Sequence, residues 1–294
     1  LHPGGGSDPR IKNMKLCRFT AAGTPDVRIG LIPKDQSLLD LTDTGVHRMK
    51  TLLELPGLAD ELLRLSRAGL AEHPLDSVRL LTPVESQEVW AAGVTYLRSK
   101  QARMIESEFS ASAYDRVYGA ARPEIFFKSL PEKVVSPGEP VGIRRDARWN
   151  VPEPELALVI NSSGKIVGFT IGNDMSSRDI EGENLLYLSQ AKIFTGSCAV
   201  GPWIVVGLTE DDARQWSIEL EILRGGERVF TGETEVGKIK RPFNELVDYL
   251  FRSQKFPNGA VLLTGAGIVP PGPFTLEAGD SVRITTLMSG HSVS

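Results

Sequence analysis

Residues 153–174 read EPELALVINSSGKIVGFTIGND, and the rest of the chain is best interpreted outward from this stretch. Two runs rich in apolar and β-branched residues flank the tetrapeptide NSSG at 161–164, which is typical of a tight turn. The pattern predicts an antiparallel β-hairpin. If the chain reverses at Ser163 and Gly164, paired positions have numbers that sum to 327, so position 153 lies opposite position 174.

Three acidic residues lie at the open end of this hairpin. Side chains of a strand alternate between two faces, so Glu153 and Glu155 share one face and Leu156 points to the other. Directly opposed residues share a face with β-carbons about 5 Å apart, which brings Asp174 to the same patch. Two carboxylates about 4 Å apart repel by about 4 kcal/mol at an effective dielectric of about 20. The sequence therefore predicts a cation among these three side chains.

The donor atoms indicate which cation this would be. Carboxylate oxygens without His or Cys favour a hard divalent ion, Mg²⁺ first, with Mn²⁺ or Ca²⁺ as substitutes. Three protein ligands leave coordination positions for water and substrate, as in a catalytic site. The alternative is that the acids are unrelated and solvated on the outer face of a strand. A register slip of one residue would also turn Asp174 to the opposite face.

Composition excludes several classes of partner. The 294 residues include 33 basic and 37 acidic side chains, intermixed and giving a formal charge of −4, so no basic stripe is available for nucleic acid or an anionic membrane. No run approaches the roughly 18 apolar residues of a membrane span. Cys17 and Cys198 lie far apart in apolar or small-residue surroundings, which favours reduced thiols and a cytoplasmic location. We expect residues 1–13, LHPGGGSDPRIKN, to derive from an expression vector and to stand outside the fold.

Histidine is absent from the region that carries the chemistry. The four histidines are at positions 2, 47, 73 and 291, and none falls between 85 and 285. This distribution argues against a Ser-His or Cys-His nucleophile and against a histidine-rich zinc site. The predicted site acts through carboxylates, lysine and hydroxyl groups.

The remaining pattern predicts an α+β fold that is mostly β. Residues 14–45 show short alternating runs typical of antiparallel strands, and 47–69 carry leucine at helical spacing that Gly69 ends. We expect a small N-terminal α+β domain at 14–80 and a larger catalytic domain at 81–294. Residues 95–120 favour one or two helices, and strands dominate after that segment.

Four segments in series resemble the fumarylacetoacetate hydrolase family. They are EPELALVI at 153–160, GFTIGNDMSSRDIEGEN at 168–184, QAKIFTGSCAVGPWIV at 190–205 and VLLTGAGIV at 261–269, and the resemblance covers about residues 85–288. It implies a mixed β-roll catalytic domain in a homodimer or homotetramer. It also implies Mg²⁺ ligands at Glu153, Glu155 and Asp174, with an active-site lysine at Lys192.

Two departures from the family pattern bear on the reaction. Hydrolytic members carry G-x-N-Y-x-x-H, whose histidine helps to activate water, whereas this chain has GVTYLRS at 93–99 with Ser99 in that place. Residues 264–267 read TGAG, so Ala266 replaces a threonine. Both differences argue against hydrolysis of carbon–carbon bonds. The closest likeness is to the members that dehydrate 2-keto-3-deoxy sugar acids, because of residues 172–192 and of RPEIFFK at 122–128.

This subgroup implies a small-molecule 2-keto acid as substrate and particular roles for side chains. Lys192 would remove a C3 proton or anchor the substrate carboxylate, and Glu124 would protonate the departing C4 hydroxyl. Arg178 and Asp179 are expected to form structural ion pairs. Further substrate contacts are expected from Ser99, Lys128 and Thr264.

Two other functions are compatible with the same residues. One is a hydrolase or decarboxylase of an acylpyruvate-type dicarbonyl acid, in which Glu106 or Glu108 would replace the missing histidine. The other is a non-catalytic binding module that a cation stabilises.

Overall fold

The structure, a computed structural model, describes residues 13–34, 36–97, 115–272, 274–288 and 291–293. Strands predominate over helices, which confirms the predicted α+β class with a mostly β composition. The strands are β1 Met14–Ala21, β2 Arg28–Lys34, β3 Ser37–Asp40, β4 Glu72–Pro74, β5 Val78–Leu81, β6 Glu88–Gly93, β7 Glu124–Ser129, β8 Asn150–Val151, β9 Pro154–Ile160, β10 Ile166–Asp174, β11 Ser176–Ser177, β12 Cys198–Val206, β13 Ser217–Arg224, β14 Glu227–Glu235, β15 Ala260–Leu263, β16 Ser281–Met288 and β17 His291–Val293.

The helices are short, and none of those in the described ranges is long and apolar enough to cross a membrane. Residues 115–119 are also helical. The α-helices are α1 Met49–Leu53, α2 Leu58–Leu65, α3 Arg178–Glu183, α4 Leu188–Lys192, α5 Glu210–Ala213 and α6 Phe243–Phe251, and the 3₁₀ turns are Thr42–Thr44, Leu75–Ser77, Pro131–Lys133, Leu185–Tyr187 and Val236–Lys238.

One large sheet organises the described part of the chain. Its 11 strands include the path β4-β3-β2-β1-β12-β10-β9-β15-β6-β7, with β5 added beside β1. A four-stranded sheet, β14-β13-β16-β17, and the pair β11-β8 complete the β-structure of these residues. The helix α6 contributes to the apolar core that also contains β9 and β13.

The predicted hairpin is confirmed with its predicted register. Strand β9 pairs antiparallel with β10, and Leu158 lies opposite Phe169 and Glu155 opposite Gly172, so the numbers of both pairs sum to 327. The amide of Asp174 donates to the carbonyl of Glu153 at 2.9 Å. All seven residues of β9 are buried, so the alternative of a solvated outer face is wrong.

Strand polarity brings six strand termini to one edge of the sheet. Strands β10 and β15 both run antiparallel to β9, so their ends lie beside the start of β9. Strand β6 runs parallel to β15, so it ends at the same edge. Strand β7 runs antiparallel to β6 and therefore starts there. The start of β12 reaches the same edge through its pairing with β10. Residues that are distant in sequence therefore meet at this edge.

The N-terminal strands extend this same sheet. Strand β1 pairs with β12, with Leu16 opposite Ile204, and with β2 and β5 on its other side. The helical pattern at 47–69 forms two helices, because Pro56 and Gly57, whose φ is 74°, interrupt it. The domain boundary near residue 80 stays a prediction.

Candidate active site

The three predicted ligands converge at the shared strand edge. Glu153, Glu155 and Asp174 each offer one carboxylate oxygen, and these oxygens lie within 4.8 Å of one another. Their side chains are almost fully buried, with 3%, 1% and 2% of their surface exposed. Water therefore does little to screen their repulsion, and protein cations must do so instead.

Two lysines contact the carboxylates of the cluster. Lys192 Nζ donates to Glu153 Oε2 at 2.8 Å and to Asp174 Oδ2 at 2.9 Å. Lys128 Nζ lies 2.5 Å from Asp174 Oδ1 and also donates to the carbonyls of Met175 and Lys192, at 2.9 and 2.5 Å. Lys128 thus has two hydrogen-bond acceptors and one ion-pair partner, and it holds Asp174 and the end of α4 in place.

An arginine adds a third positive charge beside the cluster, in an ion pair of the kind expected for Arg178. Arg178 Nη2 lies 3.0 Å from Glu153 Oε1, and its side chain is 3% exposed. The neighbouring Asp179 instead accepts the backbone amide of Arg148 at 2.6 Å, which ties the start of α3 to the preceding loop. Glu153 is therefore held between Arg178 and Lys192.

Glu155 has the least direct compensation among the three acids. Its Oε2 accepts the amide of Gly265 at 2.6 Å. Burial, and next the charges of Asp174 and Glu153, raise the pKa of Glu155 well above its ordinary value, although Lys192 opposes the shift. An additional positive charge near Glu155 would remove this cost.

The charge of the whole site fits a divalent cation. A cavity opens at the cluster, and two further acids, Glu124 and Glu181, lie in its wall. The two lysines and the arginine pair with Asp174 and Glu153, so Glu155 is the acid at which a further positive charge is needed. A bound Mg²⁺ would supply that charge, and the carboxylate oxygens of the cluster suit it as donors.

The two predicted catalytic residues line this one cavity. Glu124 begins β7 opposite Gly93, at the end of β6. Phe126, two residues along β7, also lines the cavity, and Lys192 Nζ lies 5.9 Å from its ring centroid. The catalytic roles of Glu124 and Lys192 stay predictions.

The three other expected substrate contacts differ in position. Ser99 lies outside the described residues, as do Glu106 and Glu108. Thr264 is fully buried, and its hydroxyl donates to the carbonyl of Leu156 at 2.9 Å. Thr264 thus holds the segment that carries Gly265, and Lys128 holds the end of α4. Contact of either residue with substrate stays a prediction.

Sequence reasoning missed one acid of the site. Glu181 lies on α3, is 4% exposed, and accepts the hydroxyl of Ser176 at 3.0 Å. A helical spacing of three from Arg178 places both side chains on the same side of α3. The three-residue spacing of Arg178 and Glu181 is visible in the sequence and could have placed Glu181 at the site.

The cysteines stay outside this chemistry. Cys17 and Cys198 are both buried and unpaired, as predicted for reduced thiols. Burial raises the pKa of the Cys198 thiol to about 12, so at neutral pH it is not a thiolate nucleophile.

The fold and the site define a metal-dependent enzyme of small molecules, in which strand ends present a carboxylate cluster to an open cavity. The chain belongs to the fumarylacetoacetate hydrolase family: the family's C-terminal domain pattern matches residues 89–291. It is 47% identical over 203 residues to a probable 2-keto-3-deoxyxylonate dehydratase of Haloferax volcanii. The aligned region covers 69% of this chain and 70% of that protein.

Two further comparisons agree. The chain is 40% identical over 219 residues to 2-dehydro-3-deoxy-D-arabinonate dehydratase of Saccharolobus solfataricus, covering 74% of each protein. It superimposes with a TM-score of 0.75 on a 2-keto-3-deoxy-D-arabinonate dehydratase complexed with magnesium and 2,5-dioxopentanoate. That match has 32% sequence identity and covers 93% of this chain and 95% of the other.

Stabilisation by Mg²⁺ should increase with pH. Because the pKa of Glu155 is raised in the folded protein, the ion-free fold keeps a proton there at pH values where the unfolded chain has lost it, and it loses stability as pH rises through this range. A bound ion replaces that proton. We expect saturating Mg²⁺ to raise Tm more at about pH 8 than at about pH 5.5, measured by calorimetry. Equal increases at both pH values, or a response unchanged in Glu155→Gln, would contradict this account.

Replacing Asp174 with Asn should remove an ion ligand and leave two buried lysines with less counter-charge. We expect Mg²⁺ affinity to fall at least about 100-fold by isothermal titration, and the free energy of unfolding to fall by about 3 kcal/mol or more. Asp146→Asn is the control, since Asp146 is exposed and pairs with Arg144. Wild-type Mg²⁺ affinity in Asp174→Asn would refute the site.

Proposed function

We propose that this protein is a Mg²⁺-dependent hydro-lyase that converts a 2-keto-3-deoxy pentonate into 2,5-dioxopentanoate and water. The observation that carries the proposal is the buried cluster of Glu153, Glu155 and Asp174. Lys192 donates hydrogen bonds to two members of this cluster, and an open cavity lies beside it. Relatives at 47% and 40% identity are named as dehydratases of such acids, which supports the same reaction.

The cluster would hold the ion, and the other residues would bind substrate and move protons. When bound, Mg²⁺ polarises the 2-oxo group of the keto acid and so acidifies its C3 protons. Glu153 and Asp174 are already oriented by Lys192, Arg178 and Lys128. Little reorganisation of these ligands is then needed when the substrate arrives.

Lys192 and Glu124 would divide the proton transfers. In this proposal Lys192 removes a proton from C3 while Glu124 protonates the C4 hydroxyl, which leaves as water and creates a C3–C4 double bond. The ionised Glu124 next removes a C5 proton, and Lys192 returns a proton to C3. The resulting 5-enol becomes the aldehyde through proton transfer from its hydroxyl to C4, which completes 2,5-dioxopentanoate. Both side chains regain their starting protonation states.

A second role for Lys192 would leave the cluster unchanged. As a charged anchor, Lys192 would pair with the substrate carboxylate, and another group would take the C3 proton. The ammonium lies between Glu153 and Asp174, an arrangement that stabilises its charged form. The two roles predict different defects when the amine is removed.

Lys192→Met should abolish turnover while Mg²⁺ binding persists. If Lys192 is the base, the variant should bind the keto acid with near wild-type affinity but lose exchange of its C3 protons with deuterated solvent, followed by NMR. If Lys192 is the anchor, substrate affinity should fall instead. Lys133→Met, at an exposed lysine, is the control. Loss of Mg²⁺ affinity would show that Lys192 mainly holds the ion ligands in place.

A substrate panel should separate the candidate functions. We expect Mg²⁺-dependent formation of 2,5-dioxopentanoate from 2-keto-3-deoxy pentonates, and loss of it with a chelator, with the product identified by mass spectrometry. Cleavage of acylpyruvates without dehydration would favour the hydrolase or decarboxylase. Melting shifts with Mg²⁺ and keto acid, without any product, would favour a binding module. Assembly as a homodimer or homotetramer and a cytoplasmic location stay predictions.

A further inference from the structure

Gly93 and Glu124 lie against each other across two paired strands. Gly93 ends β6 and is the registered partner of Glu124 at the start of β7. A β-carbon built on Gly93 would overlap Glu124 Oε2, and would lie 2.7 Å from Cδ and 3.4 Å from Cγ of the same side chain. All three nearest atoms therefore belong to Glu124, and both residues line the cavity of the candidate site.

We propose that Gly93 is a positioning residue for Glu124. Because glycine has no side chain, the carboxyl group of Glu124 can occupy the space beside the cavity that a β-carbon at position 93 would fill. The proposal rests on the acid role of Glu124 in the proposed function. It adds a steric determinant on a strand that supplies no reacting group.

Backbone conformation does not explain glycine at this position. The φ angle of Gly93 is outside the left-handed region, so alanine is compatible with the backbone. At Gly265 and Gly259, by contrast, φ is 99° and 73°, and an added β-carbon would also meet fixed backbone atoms. Replacement of Gly93 thus affects one flexible side chain and leaves the fold intact.

The strand end at Gly93 has little freedom to retreat from that overlap. Val94 adopts φ 53°, which is a strained conformation for a β-branched residue. The next residue is held on two sides: Thr95 Oγ1 donates to the carbonyl of Thr264 at 2.6 Å, and the amide of Lys240 donates to the carbonyl of Thr95 at 3.1 Å. A methyl group at position 93 must therefore displace the Glu124 carboxyl group.

The displacement has a defined kinetic signature. Glu124 acts on the departing hydroxyl, so moving its carboxyl group reduces the stabilisation of the transition state. Ion binding and substrate binding stay unchanged. We expect Gly93→Ala to lower kcat about 100-fold, with KM and Mg²⁺ affinity close to wild type. Gly272→Ala is the matched control, because an added β-carbon there has open space and its φ is also outside the left-handed region.

A double-mutant cycle isolates the steric cause. In a Glu124→Ala background, Gly93→Ala has no carboxyl group to displace, so it should cause no further loss of kcat. Glu124→Asp in the Gly93→Ala background should recover part of the lost kcat, because the shorter side chain has no atom at the position of Oε2, which the new methyl group overlaps. Glu124→Asp alone should lower kcat.

The outcomes separate the two proposals. Wild-type kcat in Gly93→Ala, or equal losses from this change with and without Glu124, would overturn the positioning role while the dehydratase assignment stands. Full activity in Glu124→Ala would instead refute the acid role on which the inference rests. If Gly93→Ala lowers Tm strongly and Glu124→Asp restores neither Tm nor kcat, the overlap is not the cause and the positioning role also fails.

Discussion

Compensation of buried negative charge is the constraint on which the structure of the site depends. Glu153, Glu155 and Asp174 are almost fully buried where the start of β9 meets the end of β10. Burial of a single unpaired carboxylate is costly, so the fold surrounds the cluster with lysine and arginine at hydrogen-bond distance. The compensation is incomplete at Glu155, whose pKa is strongly raised by burial and by its acidic neighbours. A divalent ion fits this site because it would supply the positive charge that buried Glu155 needs.

The two lysines perform different tasks although both approach Asp174. Lys128 is fully buried, and its ammonium group is committed to Asp174 and two backbone carbonyls. Lys192 lines the cavity and donates hydrogen bonds to Glu153 and Asp174, two of the proposed ion ligands. Under the proposed function, Lys128 would hold Asp174 in place while the amine of Lys192 would lie next to the substrate. Thr264 and Gly265 also have different tasks. The hydroxyl of Thr264 holds a loop in place, and the amide of Gly265 donates a hydrogen bond to Glu155.

The sheet supplies this arrangement because strand ends of opposite chain direction share one edge. The parallel pairing of β15 with β6, inside an otherwise antiparallel neighbourhood, brings Gly93 and Glu124 to the same edge as the β9–β10 cluster. Membership of the fumarylacetoacetate hydrolase family, together with the 32% identity to a magnesium-bound dehydratase structure, agrees with such a site. The three acids and Glu124 therefore lie at or beside strand ends, where strand register sets their spacing, whereas Lys192 ends the helix α4.

The sequence by itself determined the β9–β10 hairpin, its register and the three converging acids, because a turn at 161–164 and the two-residue period of a strand are local properties. The family motifs added Lys192 and Glu124, both of which line the cavity. Only the tertiary structure revealed the brace by Lys128, the place of Glu181 and the contact of Gly93 with Glu124. These depend on which distant strands become neighbours, and no local periodicity encodes that choice.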